Sequence, residues 1–444
     1  MTWTIEQIER TFLSYMVAHG HVVIEGHSVR SPTDDVLFTT AGMHPLIPYL
    51  KGELVHPAGR RLTDVQRCVR TTDVDEVGDN THLTVFEMLG NWSLGDYFKE
   101  TSIPQSFGLL TNEFGIDPRS IYVTVFAGAE GLPFDDEAQA IWEQTYADVG
   151  VDPRGRIIPL VDNWWSNGPV GLCGPDTEIF VYVGEHGADG EPVLAFDDIP
   201  QYVEIWNNVF MSFDRSASGE LSPLPQRNVD TGMGLERLAL FINGHDTVWK
   251  TDELHELTVV VGDTLGVDPD QLSGDPQHSL RIVTDHLRAS LAIAAAGIAP
   301  SASRQGYVLR KLIRRAVRHA ELLKGTDQGL AQSLIEATDR VSDVMGRRWK
   351  DVGPGEGGDI AKATIEKESS KFAKTLKKGV DHLQELADES KVFDGDLAFR
   401  LADTLGYPVE LSAEEAQRIG MSIDEAWPHR YEELREEQRA RSRG

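Results

Sequence analysis

The stretch Asp230-Thr231-Gly232-Met233-Gly234-Leu235-Glu236-Arg237 joins an acid, two glycines and an arginine. Two glycines just inside a helix start let the backbone approach a ligand closely. An arginine on that first turn can hold a phosphate, and the helix N-terminus adds partial positive charge. Asp230 suits a substrate ammonium, and equally a helix cap at a strand-to-helix junction. A second stretch runs from Gln66-Arg67-Cys68-Val69-Arg70 through a polar loop to Phe86-Glu87-Met88-Leu89-Gly90-Asn91. Guanidinium groups fit phosphate oxygens, and Phe86 can stack on a base; the same residues also describe a surface hairpin with solvated arginines. The third stretch is Asp162-Asn163-Trp164-Trp165-Ser166-Asn167-Gly168, followed by Gly174-Pro175-Asp176-Thr177-Glu178. It offers an indole wall and carboxylates for a metal ion or an amine, or else a core tryptophan beside a turn.

These residues need strands and helices to hold them. Thr4-Ile5-Glu6-Gln7 has the form of a capping box. Ile8, Phe12, Tyr15 and Met16 follow at helical spacing, which predicts a first helix over about 5–19 closed by Gly20. Residues 22–24 and 36–39 read as short strands, the latter ending before the Ala41-Gly42-Met43 turn. Residues 121–126 are β-branched and aromatic and predict a stronger strand. Residues 138–149 read as helix, and 179–183 and 202–213 as further strands. Beyond Asp252 the pattern turns helical, over 276–296, 305–323, 332–345 and 360–386. Gly353-Pro354-Gly355-Glu356-Gly357-Gly358 is the clearest breaker. Strands separated by irregular, Gly-rich stretches favour an antiparallel sheet over regular βαβ alternation. The expected fold class is α+β: a strand-and-helix domain over 1–245, then an all-helical domain over 246–444.

Composition narrows the functions. The 444 residues hold 42 Lys+Arg against 71 Asp+Glu, a formal net charge of −29. That charge repels a polyanion as a whole, so nucleic-acid binding requires a local basic patch. Two cysteines, Cys68 and Cys173, exclude a disulfide framework and a four-cysteine zinc site, and no zinc is expected. The longest apolar runs, such as 291–299, are too short to span a bilayer. The start, Met1-Thr2-Trp3-Thr4-Ile5-Glu6, lacks the basic and apolar regions of a secretory signal. The expected setting is cytoplasmic, with no membrane partner. The sequence carries neither a Walker P-loop, a Gly-x-Gly-x-x-Gly after a strand, zincin histidine spacing nor a Gly-x-Ser-x-Gly elbow.

Together the motifs resemble those of the alanyl-tRNA synthetases, a family of class II aminoacyl-tRNA synthetases. Leu37-Phe38-Thr39-Thr40-Ala41-Gly42-Met43 resembles the first motif, the Arg67 to Asn91 stretch the second, and Val229 to Arg237 the third. Glu204-Ile205-Trp206-Asn207-Asn208-Val209-Phe210-Met211 is similar to the strand before it. Gly306-Tyr307-Val308-Leu309-Arg310-Lys311 and Ala398-Phe399-Arg400-Leu401-Ala402-Asp403-Thr404-Leu405-Gly406 resemble the helical domain. The resemblance implies an antiparallel catalytic sheet flanked by helices and the use of ATP and Mg²⁺. It implies activation of alanine as the adenylate with release of pyrophosphate. It also implies that Arg70 and Arg237 are the catalytic pair, on the α- and γ-phosphates, and that Phe86 and Met88 bound the adenine. Trp165, Asn207, Val209 and Asp230 would form the alanine pocket, with Asp230 on the ammonium and Glu204 as a carboxylate for Mg²⁺. Asp403, Arg304, Arg310 and Arg314 would face an acceptor.

The sequence also departs from the family. The usual zinc-dependent editing domain and the C-terminal tRNA-binding and oligomerising domain are expected to be missing. The family reads a G·U pair in the acceptor stem with an Asn and an Asp. The Asp position matches Asp403, but the Asn position carries Ala302, which has no side-chain hydrogen bond to offer. Against that, Arg304, Arg310, Lys311, Arg314, Arg315 and Arg318 form a basic stretch. Residues 310, 314 and 318 share a helix face. The stretch suits an acceptor-stem backbone, or pairing with the acidic surface around it. The loop between Arg70 and Phe86 is acidic, with Asp73, Asp75, Glu76 and Asp79. Three functions are open: charging of a tRNA acceptor stem or minihelix, transfer of activated alanine to a small-molecule amine or nucleoside, and a non-catalytic paralogue. Retention of Arg70, Trp165, Asp230 and Arg237 argues against the last.

Overall fold

The computed structural model describes residues 2–32, 36–129, 131–187, 192, 196, 201–324, 329–388 and 392–443. The chain forms two units, Met1–Glu256 and Leu257–Gly444.

The first unit is built on nine strands: β1 (Val22–Val23), β2 (Arg61–Val69), β3 (Val85–Leu94), β4 (Ile121–Phe126), β5 (Ile157–Leu160), β6 (Trp164–Ser166), β7 (Gly171–Tyr182), β8 (Tyr202–Arg215) and β9 (Leu221–Gly234). They form one sheet in the order β1-β2-β3-β9-β8-β7-β4-β5, with β6 beside β7. From β2 across to β4 every pairing is antiparallel, and the outer pairs β1·β2 and β4·β5 are parallel. Its helices are α1 (Ile5–Ala18), α2 (Ile47–Leu50), α3 (Lys99–Gly108), α4 (Asp136–Asp148) and α5 (Leu235–Ile242). The capping box of α1 forms: Gln7 N donates to Thr4 Oγ1 at 3.2 Å, and Thr4 N to Gln7 Oε1 at 3.0 Å.

Period-two alternation gives the sheet two faces. On one, Leu89, Trp206, Phe210 and Met233 share a core with Ile5, Ile8, Phe12 and Met16 of α1. The other carries a smaller apolar cluster of Met43, Leu46, Leu62, Trp92, Val209 and Met211. The stretch expected as a strand over 36–39 is not one. Phe38 makes only an isolated bridge to Arg30. Thr39 is held by two backbone bonds, to Val29 and from Val69, which replace a ladder.

α6 (Asp252–Leu265) runs across the boundary of the two units. The second unit continues with α7 (Gly274–Ala295), α8 (Arg304–Lys324), α9 (Leu330–Met345), α10 (Glu356–Asp388), α11 (Gly395–Arg400), α12 (Val409–Arg418) and α13 (Trp427–Arg443). Unlike the all-helical pattern expected, a short parallel pair, β10 (Val392–Phe393) with β11 (Ser422–Ile423), lies among these helices. The pair places the buried Phe393 edge-on to Trp427. The spacing of Ile365, Phe372, Leu376, Val380 and Leu383 marks one face of α10, and all of them are buried except Val380, which is half-buried. The glycine-rich breaker turns the chain between α9 and α10. A Cβ on Gly346 would lie 2.4 Å from Cα of Gly353, so this crossing of backbones requires glycine.

Candidate active site

Strand register assembles the site on the sheet face away from α1. One row crosses β2, β3, β9, β8 and β7 as Leu62, Trp92, Asp230, Val209 and Asp176. The adjacent row reads Asp64, Gly90, Gly232, Asn207 and Glu178. Gly232 and Gly234 thus belong to β9 and not to a helix start, because the ladder to β3 continues as far as Met88 opposite Gly234. The glycines make room for their neighbours' side chains. A Cβ on Gly90 would lie 2.3 Å from the Trp92 ring, and one on Gly232 would lie 2.8 Å from Met88 Sδ.

One end of this face gathers groups suited to a nucleotide. Arg70 follows β2 and is anchored by its N–H on Thr84 O at 3.0 Å. Its guanidinium lies 5.0 Å from the centre of the Phe86 ring. α5 starts directly after β9, which puts Arg237 in its first turn. Arg70, Phe86, Met88, Glu204 and Arg237 line one cavity. Glu236 fixes α5 against β3 by accepting from Glu87 N at 3.1 and 3.3 Å. At the rim, His82 Nδ1 is 2.6 Å from Asp79 Oδ2, and its Nε2 is 3.1 Å from Glu76 Oε2.

The other end is closed and carries buried acid. The Trp92 indole N–H donates to Asp230 Oδ1 at 2.7 Å. Burial pushes the Asp230 carboxyl up to about 7 even though that hydrogen bond pulls the other way. Val209 and Trp165 pack in the same apolar cluster as Trp92 and Met43. Asn207 stands in the row next to Asp230, and its Oδ1 is buried without a partner. Burial, then the charge of Glu178, push Asp176 up to about 8. Burial and the neighbouring Glu204 push Glu178 up to about 7. Among the described residues no group of three His, Cys, Asp or Glu side chains could hold a metal ion alone. Glu178 and Glu204 repel one another and so fit a divalent cation that shares them with phosphate oxygens, a common ligand set for Mg²⁺.

The second unit holds the other predicted residues. Arg304, Arg310, Lys311, Arg314, Arg315, Lys371 and Arg435 line a cleft of about 700 Å³, and no described residue lining it is acidic. Ala302 lies on its wall. Much of the predicted basic stripe is matched by acids. Arg314 Nε meets Glu368 Oε1 at 2.7 Å. Arg315 faces Glu414 at 3.6 Å. Arg318 is buried between Glu321 and Glu415. Asp403 sits in a π-helical turn, Leu401–Leu405, and accepts a hydrogen bond from Gln438 of α13.

Sequence reasoning assigned no role to Trp92, Asp64 or His82. Trp92 carried a usable signal: two residues from Gly90 on one strand, it falls on the same face as the glycine gap, whereas Asp64 comes opposite Gly90 only through the pairing of β2 with β3. His82 carried none, because its partners are set by the loop's path.

Among the described residues no helix is long and apolar enough to cross a membrane. The family described as tRNA synthetases class II (A) matches residues 7–444. The alanine--tRNA ligase of Borrelia hermsii is 41% identical over 432 residues, covering 95% of this chain and 70% of the relative. That of Treponema pallidum is 42% identical over 441 residues, covering 95% and 69%. The alanine--tRNA ligase of Thermobifida fusca is 37% identical over 443 residues, and the chain spans 48% of its length. On this match along nearly its whole length, the chain belongs to the class II aminoacyl-tRNA synthetases, in the alanine--tRNA ligase family.

Proposed function

We propose that the chain joins alanine to AMP at the expense of ATP and passes the alanyl group to the acceptor stem of a tRNA. In this reading the first unit forms the adenylate and the second holds the acceptor. The observation that carries it is the convergence of Arg70, Phe86, Met88 and Arg237 on one cavity, on the sheet face that also bears Asp230.

The alanine carboxylate attacks the α-phosphorus, the bond to pyrophosphate breaks, and no proton has to move. The protein therefore acts by placement and charge. Arg70 neutralises the α-phosphate, Arg237 the γ-phosphate, and Phe86 and Met88 bound the adenine. Asp230 takes the α-ammonium, and Val209 and Trp165 wall the methyl group. Glu204 with Glu178 would hold Mg²⁺, which supplies further positive charge to the phosphate oxygens. In the second step the acceptor attacks the carbonyl carbon and AMP leaves.

The cationic cleft of the second unit supports a polyanionic acceptor. A small amine or nucleoside as acceptor is the second reading. Ala302 on the cleft wall and the engagement of Asp403 by Gln438 favour it. The test is ATP–pyrophosphate exchange with each of the twenty amino acids, followed by transfer of labelled alanine to an alanine tRNA. Alanine-dependent exchange with label on the tRNA is expected. Exchange without label would replace the tRNA by a small acceptor, and no exchange would refute adenylation.

A further inference from the structure

The solvent face of α10 carries positive charge that the helical unit leaves unmatched. Lys367, Lys371, Lys374 and Lys378 stand three or four residues apart, so they fall on one side of the helix. That side lies opposite the buried Phe372, Leu376 and Leu383, and all four lysines are exposed. Among the described residues none of the four forms an ion pair. Other cations of the unit are paired. Lys362 of the same helix meets Asp359 at 3.3 Å and Asp339 at 3.6 Å. On α13, Arg430, Arg435 and Arg439 meet glutamates at 3.2, 3.1 and 3.5 Å. Like charges three or four residues apart repel and weaken a helix. An unmatched row of them on a chain of net charge −29 therefore calls for a partner that supplies the negative charge.

The row continues the cationic cleft. Lys371 lines both the cleft and a shallow groove of about 440 Å³ along α10. The short side chains of Ala363 and Ser370 keep that groove open beside Lys367, Lys371 and Lys374. Glu366 is the only acid among the described residues that line it. From Lys367 to Lys378 the helix rises about 16 Å, at 1.5 Å per residue. One nucleic-acid strand covers that distance in about five nucleotides. Evenly spaced ammonium groups with no apolar anchor between them suit a phosphate backbone. Protein interfaces, by contrast, are depleted in lysine and centre on apolar and aromatic side chains.

We propose that the lysine face of α10 is a second RNA contact, along which the backbone of about five nucleotides runs as it leaves the cleft. This rests on the tRNA reading above and extends it. The acceptor is then an RNA whose stem reaches past the cleft, which no small amine or nucleoside does. The contact reads phosphates and not bases, so it sets affinity and orientation without sequence preference. Each phosphate seated on a lysine releases condensed cations and relieves the repulsion along the helix.

The experiment is the salt dependence of alanine tRNA binding to the wild-type chain and to a variant combining Lys367→Gln, Lys374→Gln and Lys378→Gln. Lys371 stays, because it also lines the cleft. ATP–pyrophosphate exchange and thermal melts are measured on both. Glutamine has nearly the helix propensity of lysine, so the fold should hold. Exchange should stay within about 2-fold, since these surface residues lie outside the first unit. The slope of log K against log salt is expected to fall by about 2–3, close to one unit per lost phosphate contact. A short hairpin carrying only the acceptor end should bind both proteins with the same slope. Should the triple variant melt early, Lys367→Gln with Lys378→Gln carries the same test, at a slope loss of about 1–2. Equal slopes for the tRNA overturn the proposal. A loss as large with the hairpin as with the tRNA also overturns it, because the contact would then lie within the cleft. Exchange without tRNA binding by either protein would sink the tRNA reading and this inference with it. Binding of tRNA with an unaltered slope sinks this inference alone.

Discussion

The site face of the first unit and the interior of the second handle buried charge in opposite ways. In the second, buried cations meet acids placed for them: Arg318 lies between Glu321 and Glu415, and Glu415 also accepts from Arg418 at 2.7 Å. On the sheet face, Asp64, Asp176 and Asp230 are buried without a cation: the Trp92 indole donates to Asp230, Asn207 and Asn163 bond Asp176, and the three carboxyls rise well above the ordinary range. Matched charge behaves as scaffold. Acid buried without its counter-charge marks where a cationic or metal-bearing ligand completes the electrostatics.

Predictions that break or sharpen this contrast can be ordered by size. Arg237→Ala should lower amino-acid-dependent exchange about 10²–10³-fold with little change in melting temperature, and exchange at the wild-type rate would remove its phosphate role. Glu415→Ala leaves the buried Arg318 with Glu321 alone and should cost about 1.5–3 kcal/mol of stability, read as a fall in melting temperature; an unchanged melt would show that the matched charge is not scaffold.

Asp230→Asn comes next. It should raise the amino-acid KM about 100-fold and leave the ATP KM within about 2-fold. In the wild-type chain, protonation of Asp230 weakens its hold on the ammonium. The amino-acid KM should therefore climb as pH falls through about 7, and the climb should disappear in the variant. An ATP-only defect would be the wrong sign for an ammonium partner.

Asp176→Asn has a smaller effect of the opposite sign. The folded state holds protons on Asp176 and Glu178 up to about pH 8 and 7, where the unfolded chain has lost them. Stability contributed by these groups therefore falls as pH rises from about 4 to about 8. The substitution should raise the melting temperature by about 2–6 °C at pH 9 and by little at pH 5. The smallest effect is expected from Lys371→Ala, which should lower the salt dependence of RNA binding by about one contact's worth of slope.

The catalytic sheet was legible in the sequence where residues announce themselves locally. The capping box at Thr4 and the aromatic, β-branched run at Ile121–Phe126 are short-range signals, and both stand in the structure. The motif residues Arg70, Phe86, Met88 and Arg237 were singled out through the resemblance to a family's motifs, and the fold brings them to one cavity. Features set by register were not legible. The placement of Gly232 in a strand depends on pairing with both Gly90 and Asn207, far away in sequence. The bonds of Gln66 to the backbone of His27 and Arg67, and the buried Asp64 Oδ1 that has no partner, are likewise set by the fold. The division of the basic stripe also depends on distant partners: Glu368 takes Arg314 and Glu415 takes Arg318.

The margins of the large sheet have a consequence of their own. On one side the outermost strand is only two residues, Val22–Val23. On the other, the carbonyls of Arg156 and Leu160 face β4, so by alternation Pro159 turns a nitrogen without a proton to the outside. Neither rim presents a long row of free donors and acceptors to another chain. With a net charge of −29 repelling like molecules, the nine-stranded sheet is protected against strand-by-strand association at high protein concentration.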